Sequence, residues 1–278
     1  MTPVLTRGQA LAHARQHYQL DAIDARVLAC AACGCTATDL LAYPEAPLAA
    51  QQAATFAQWC ARRAAGEPVA YLVGGREFYG HWLHVSPQVL IPRPETELLI
   101  ECALAAALPA DACVLDLGTG SGAVAISLAL ARARWQVWAV EQSREALTVA
   151  QANAARLNAA VRFVRSDWFA ALPAGQTFHA IVANPPYVAE GDPHLSQGDV
   201  RFEPRRALVS GADGLDALRH IVQHAPHWLA AGGRLWLEHG FDQSEAVRAL
   251  LADAGFADVQ SWRDLAGIER VSGGRLPA

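Results

Sequence analysis

The spacing of apolar positions divides the chain into two regimes. Through residue 70 they recur at three- and four-residue intervals, the pattern that lines one face of a helix. A first helix is predicted over 6–18. A second opens at Asp21 with Ile23, Val27 and Ala31 on one face, and Gly34 suits its left-handed stop. Thr36 with Asp39 three residues later has the form of a capping box for a short third helix through Leu41. Pro47 fits the first turn of a fourth, which ends near Gly66. Four short helices make a small bundle.

The pattern changes at "YLVGGREFYGHWLHVSPQVLIPRPETE" (71–97). Gly74, Gly75 and Gly80 punctuate aromatic and β-branched residues, which predicts a hairpin, and Pro92 and Pro94 stiffen the exit. From Leu98 onward strands and helices alternate. Strands are predicted at 113–118, 136–141, 161–167, 179–184 and 233–240, with helices at 122–132, 144–157, 214–229 and 244–254. This rhythm belongs to an α/β, Rossmann-like fold whose mostly parallel sheet is covered on both faces. The expected domains are a helical one at 1–70, a β-hairpin connector at 71–97 and an α/β domain at 98–278.

Composition narrows the partners. With 278 residues, 53% hydrophobic and 18% charged, the chain has the make-up of a globular protein. A net charge of −5 gives no bulk attraction to nucleic acid, so no direct nucleic-acid partner is expected. Apolar runs such as 102–109 fall far short of a membrane span, and the first residues lack a signal-peptide pattern. A cytoplasmic protein without a membrane partner is expected. Cys30, Cys33 and Cys35 include a C-x-x-C, but no second pair or histidine follows at ligand spacing. Small buried thiols, and no metal, are the expectation.

Two stretches carry chemistry. Asp116-Leu117-Gly118-Thr119-Gly120-Ser121-Gly122 sits at a strand-to-helix junction. Glycines there allow close backbone approach to a ligand, and the helix start offers unpaired amides. With Ala123 the turn also fits a dinucleotide fingerprint. Asp116, just before the glycines, favours S-adenosylmethionine, whose cationic end a carboxylate can face. Glu141, ending the next strand, suits a ribose diol. Asp167-Trp168, closing the third predicted strand, can supply an acceptor and a flat face for adenine.

The deciding stretch is Asn184-Pro185-Pro186-Tyr187, after the fourth predicted strand and at the same sheet edge. An amide nitrogen is a poor nucleophile because its lone pair is delocalised. Its two N–H groups must be held so that the lone pair points at the methyl. The Asn184 oxygen and the Pro185 carbonyl can accept those two bonds, and proline aims the carbonyl at low entropic cost. Tyr187 can wall the group and stabilise developing positive charge. This clamp points to methylation of an amide or amine, in protein or in DNA.

The chain resembles the PrmC/HemK family of glutamine N5-methyltransferases that modify class I peptide chain release factors. The likeness runs through "GREFYG" (75–80), "VLIPRPETE" (89–97), "DLGTGSGAVA" (116–125), "NPPYV" (184–188), "DVRFEPRRAL" (199–208), "GADGL" (211–215), "LEHGFDQ" (237–243) and "DLAGIERV" (264–271). The resemblance implies a class I S-adenosylmethionine-dependent methyltransferase fold with a seven-stranded sheet. It also implies the glutamine of a Gly-Gly-Gln tripeptide as acceptor, and N-terminal helices that help dock the release factor. Cofactor contacts carry over to Gly118, Thr119, Gly120, Ser121, Gly122, Glu141, Trp168 and Asn184. Substrate contacts carry over to Asn184, Pro185, Pro186 and Tyr187, with Asn184, Pro185 and Tyr187 catalytic. Glu141 departs from the aspartate of many relatives, yet its longer side chain still reaches a ribose. S-adenosylhomocysteine is the implied product, and a monomer is expected.

Amino-methylating DNA enzymes share the N-P-P-Y clamp but need a basic surface that this chain lacks. A ribosomal-protein glutamine methyltransferase shares N-P-P-Y-V, while "IPRPETE" resembles the release-factor branch more closely. A non-catalytic module would have no need of an intact clamp beside an intact glycine turn. His220 and His224 are read as a packing or solvated face, and Arg205-Arg206 as an exposed charge pair in preference to a contact on the substrate side of the cleft. Arg93 and Glu97 can border the site, but the pattern does not set their direction.

Overall fold

The computed structural model describes residues 5–278, which form two compact units. One comprises the chain up to Gly75 together with Ser196–Phe202, and the other Arg76–Leu195 with Glu203–Ala278.

The first unit holds α1 (Arg7–His17), α2 (Ala22–Cys33), α3 (Ala37–Ala42), α4 (Ala50–Ala64) and α5 (Val69–Val73). Its caps are local and were legible. Thr6 and Gln9 form a capping box, the Asp21 carboxylate accepts from the amides of Ile23 and Asp24, and Thr36 with Asp39 forms a second box. Gly34 ends α2 in left-handed backbone at φ 65°.

Three expectations are revised. The stripe Ile23-Val27-Ala31 faces outward, Ile23 being 68% exposed, while Ala25, Leu28 and Ala29 are buried. Small residues on that other face let α2 lie close to α1 and α4, and packing overrides side-chain size. Pro47 precedes α4 and pairs with Thr6 in an isolated bridge, and Gln52 caps the helix by accepting from the Ala49 amide at 3.0 Å. Residues 69–73, expected to lead into or open the hairpin, are α5, bounded by Pro68 and by Gly74 at φ 75°. The Arg63 guanidinium bonds Asp24 at 2.5 Å and Asp199 at 2.6 Å, which ties Ser196–Phe202 to this unit.

The second unit starts with the hairpin β1 (Gly75–Phe78) and β2 (His81–His84). Tyr79 and Gly80 both have positive φ, the backbone of the tightest hairpin turns. His84 exchanges two backbone bonds with the Asn153 amide, at 2.8 and 2.9 Å. There follow α6 (Glu97–Ala105), β3 (Cys113–Leu117), α7 (Ala123–Ala131), β4 (Gln136–Glu141), α8 (Arg144–Leu157), β5 (Val161–Arg165) and β6 (Phe178–Ala183). Then come α9 (Asp216–His224), β7 (Leu229–Glu238), α10 (Ser244–Asp253), β8 (Ala257–Arg263) and β9 (Glu269–Arg275). The sheet order is β5-β4-β3-β6-β7-β9-β8. Strands β3 to β7 are parallel, and β9 runs antiparallel to β7 and β8.

This is the expected seven-stranded, mostly parallel sheet. Apolar clusters cover both faces, which is why β3 is buried at every residue. The hydrophobic pattern had not located β8 and β9: β8 has no fully buried position, β9 is buried over four consecutive residues that include Ser272, Gly273 and Gly274, and their pairing shifts register. Strand order reverses between β3 and β6, so the carboxyl ends of those two strands open a crevice.

Candidate active site

The turn from β3 into α7 is built by its glycines. Gly118, Gly120 and Gly122 have φ of 73°, 56° and 87°, a region open to glycine at little cost. The amides of Gly118 and Thr119 share the Val140 carbonyl at 2.9 Å each. A Cβ on Gly122 would stand 2.7 Å from Ile126 Cδ1 and 3.3 Å from Ala150 Cβ.

Asp116 is not where the cofactor argument expected it. It is 2% exposed, and its Oδ2 accepts from Thr119 Oγ1 at 2.6 Å and from the Ala125 amide at 3.2 Å. It braces the turn and helix start from inside and does not line the cavity. Burial lifts its pKa to about 7 against those two hydrogen bonds.

The crevice holds about 730 Å³ of empty space, counted out to its open mouth. Of the residues named from sequence for the cofactor and the acceptor, Gly118, Gly120, Glu141, Asp167, Trp168, Asn184 and Pro186 line it, and Thr119, Ser121, Gly122, Pro185 and Tyr187 do not. Glu141 accepts from the Gly120 amide at 3.0 Å through Oε2 and from the Ser143 amide at 2.9 Å through Oε1. Each carboxylate oxygen keeps capacity for a further donor. Trp168 adopts φ 47°, uncommon for a bulky residue, and its ring would stand 3.7 Å from a Cβ on Gly118. Glycine at 118 thus leaves the ring face clear. The bare glycine backbone, the carboxylate and the flat ring fit a nucleoside with a ribose diol.

Asn184 leaves the end of β6 beside this crevice. Its Nδ2 donates to Thr96 Oγ1 at 3.0 Å, so its Oδ1 is the end left for a ligand. Pro185 is buried and Pro186 lies at the rim. Tyr187 Oη donates to Glu238 Oε1 at 3.3 Å, and its carbonyl accepts from Gln243 Nε2 at 3.0 Å. Burial, and then the neighbouring Glu238, push the phenol well above its ordinary pKa, so it stays protonated. The next residues are braced by Val188 pairing with Val209 in an isolated parallel bridge.

Two family models match the chain, a PrmC N-terminal domain over residues 6–74 and a methyltransferase small domain over 94–200. A release factor glutamine methyltransferase from Burkholderia pseudomallei is 56% identical over 265 residues, covering 93% of each chain. The chain belongs to the release factor glutamine methyltransferase family. The Escherichia coli protein of that name is 47% identical and covers 91% of each chain. Among solved structures, a methyltransferase from Pyrococcus furiosus superposes with TM-score 0.55 at 19% identity, covering 80% of this chain and all of its own. A Thermus thermophilus 16S rRNA methyltransferase in complex with AdoMet and guanosine reaches 0.53 at 24% identity, covering 73% of this chain and 49% of its own. These two likenesses show the fold alone, and the methyltransferase assignment rests on the family model and the curated relatives.

In this member of the family the crevice also uses residues that the sequence argument passed over. Gln88, Val89 and Leu90, just ahead of "IPRPETE", line it, as do Ser166 and Arg206. Arg206 is exposed, as read, and it also meets the cleft: its Nη2 donates to Ser143 Oγ at 2.6 Å and it lines the crevice. A charge that spans one loop to meet another has no local signature. Arg93 pairs with the buried Glu203, which also accepts from the Ile91 amide at 3.0 Å. Glu97 accepts from the Tyr79 amide at 2.9 Å. Neither Arg93 nor Glu97 lines the crevice. His220 and His224 stack at 4.3 Å against the aromatic group of Trp168, Phe169 and Trp228.

Proposed function

We propose that this protein methylates N5 of the glutamine in the Gly-Gly-Gln motif of class I peptide chain release factors, with S-adenosylmethionine as donor. The carrying observation is the Asn184 amide at the end of β6, its NH2 committed to Thr96 and its oxygen left for the crevice. Membership in the release factor glutamine methyltransferase family selects this acceptor among amides and amines.

S-adenosylmethionine supplies a sulfonium methyl and leaves as S-adenosylhomocysteine. Gly118 and Gly120 admit the donor against bare backbone, Glu141 accepts from its ribose hydroxyls, and the Trp168 face packs on its adenine. Thr119, Ser121 and Gly122 shape that turn from behind. Asn184 Oδ1 and the Pro185 carbonyl accept the two N–H bonds of the glutamine amide and turn its lone pair toward the methyl. Pro186 walls the acceptor at the rim, and Tyr187, next to it in the chain, stays a neutral phenol that adds no competing charge. The amide nitrogen forms the new N–C bond and then gives up one proton to solvent. Orientation and electrostatic preorganisation carry the catalysis.

The helical region 1–70 is proposed to dock the release factor, and the apolar side chains exposed there, Ile23, Leu41 and Tyr43, support this. The protein is proposed to act in the cytoplasm as a monomer, with no nucleic-acid or membrane partner. Among the described residues no helix is long and apolar enough to cross a membrane.

Radiolabelled donor offered to purified release factor, to a ribosomal protein and to duplex DNA tests the reading. Label on the Gly-Gly-Gln glutamine, located by peptide mass mapping, is expected. Label on adenine alone, or on the ribosomal protein alone, overturns it.

A further inference from the structure

The clamp turn has little means of holding its own backbone. Pro185 and Pro186 carry no N–H, so neither can donate a backbone hydrogen bond, and the next carbonyl along the chain is that of Tyr187. That carbonyl is held from a distant stretch of chain. Gln243, in the turn between β7 and α10, donates to it from Nε2 at 3.0 Å. The other end of the same amide is engaged too, since Oε1 accepts from the Gly240 amide at 2.8 Å. The Gln243 backbone is fixed on both sides: its N–H donates to the Gly240 carbonyl at 3.1 Å, and its carbonyl accepts from the Val247 amide at 3.0 Å. Buried Gly214 closes over the bond, because a Cβ there would stand 2.4 Å from the Tyr187 carbonyl oxygen and 2.8 Å from Gln243 Nε2.

We propose that Gln243 is a positioning residue for methyl transfer, which fixes the Asn184-Pro185-Pro186-Tyr187 turn by holding the Tyr187 carbonyl. This rests on the functional reading above. The place needs an acceptor and a donor on one planar group, which an amide supplies and a carboxylate does not. Reversing the amide would set its NH2 against the Gly240 N–H and its oxygen against the Tyr187 carbonyl, so both partners select one direction. The two prolines fix φ and make the turn stiff, so a hold on the Tyr187 carbonyl also sets where the Pro185 carbonyl stands. The turn is thereby held at its two ends, by Thr96 on the Asn184 side chain and by Gln243 on the Tyr187 carbonyl.

Neither Gln243 nor Gly240 lines the crevice, so the bond acts on the reacting groups only through the turn. "GADGL" and "LEHGFDQ", which gain no role from the clamp alone, meet at the Tyr187 carbonyl. Gln243→Glu and Gln243→Met separate this role from a role in local folding. Glutamate keeps the volume and the acceptor for the Gly240 amide, but its second oxygen opposes the Tyr187 carbonyl. Methionine keeps the length and loses both bonds.

The decisive experiment measures kcat and KM on release factor for both variants, with donor Kd by calorimetry. Gln243→Glu should lose about 10²-fold in kcat, the scale of a misaligned reacting group, while KM and donor Kd change little. Gln243→Met should lose about tenfold in kcat, the scale of one hydrogen bond, with the same split. A Gln243→Glu enzyme of normal kcat shows that only the Gly240 bond matters, and overturns the proposal. A donor Kd that weakens in step with kcat in both variants does so too. Should Gln243→Glu fail to fold, Gln243→Met carries the test, and unchanged kcat there overturns the proposal. If the unaltered protein leaves the release factor unlabelled, the functional reading fails and this inference falls with it. A labelled release factor with full kcat in the variants overturns this inference alone.

Discussion

Gly214, in the "GADGL" stretch, stands where the chain after β6 leaves no room for a side chain. Its φ is 77°, and a Cβ there would lie 2.4 Å from the Tyr187 carbonyl oxygen, 2.8 Å from Gln243 Nε2 and 3.1 Å from the Tyr187 carbonyl carbon. Two costs follow for Gly214→Ala. Left-handed backbone in an L-residue costs about 1–2 kcal/mol. Overpacking against backbone adds about 1–3 kcal/mol. Gly175 isolates the first cost, since its φ is 81° and a Cβ there would meet nothing within 4 Å. For a domain of this size each kcal/mol lowers Tm by about 2–4 °C. Gly175→Ala should therefore melt about 2–8 °C low, and Gly214→Ala about 4–20 °C low. The assay is thermal unfolding by circular dichroism with methyl transfer measured in parallel. Because the clash falls on the Tyr187 carbonyl, Gly214→Ala should also lose about 10²-fold in turnover, while Gly175→Ala keeps it. If the two variants melt together and both stay active, Gly214 does not hold the clamp by close packing and the argument is wrong.

Asn184→Ala should retain the donor while turnover falls by roughly two to three orders of magnitude, as on loss of an aligned polar partner. Near-normal turnover would sink the clamp mechanism. Glu141→Ala removes the carboxylate that bonds Gly120 and faces the crevice, and should weaken donor binding about tenfold or more with a smaller change in kcat at saturation. Calorimetry checks this, and unchanged affinity would remove Glu141 from the site. Burial pushes the Glu238 carboxyl up to about 7 in the folded state, from the 4.5 of an exposed glutamate. The folded state therefore holds the proton over that window, and this group's stabilising contribution, full below about 4.5, is lost as pH rises through about 7. Asp116 acts with the same sign. In Glu238→Gln the downward slope of unfolding free energy between about pH 4.5 and 7 should flatten, by on the order of 3 kcal/mol at most, in denaturant titrations across that range. An unchanged slope would show that the carboxyl does not titrate there.

Much of this molecule is written locally. The caps at Thr6, Asp21 and Thr36 and the stop at Gly34 need only neighbours within a few residues, and buried parallel strands show as short apolar runs, so periodicity and residue type reveal them. The glycine turn and Asn184-Pro185-Pro186-Tyr187 are equally local, because each is one loop whose backbone needs particular residues. What the sequence could not supply was direction. The buried face of α2 depends on which helices lie against it, and Ile23 lost to Ala25 and Leu28 because close approach favours small residues. Asp116 turns inward because Thr119 and the start of α7 offer donors there. Arg206 enters the crevice only because folding brings its loop to Ser143. The bond from Asn184 to Thr96 joins the end of β6 to the turn before α6, two places that meet only in the folded chain. The chain by itself determined which chemistry is present and at which edge of the sheet. The tertiary structure decided which atoms face the ligand, since burial and hydrogen-bond partners far apart in sequence orient each side chain.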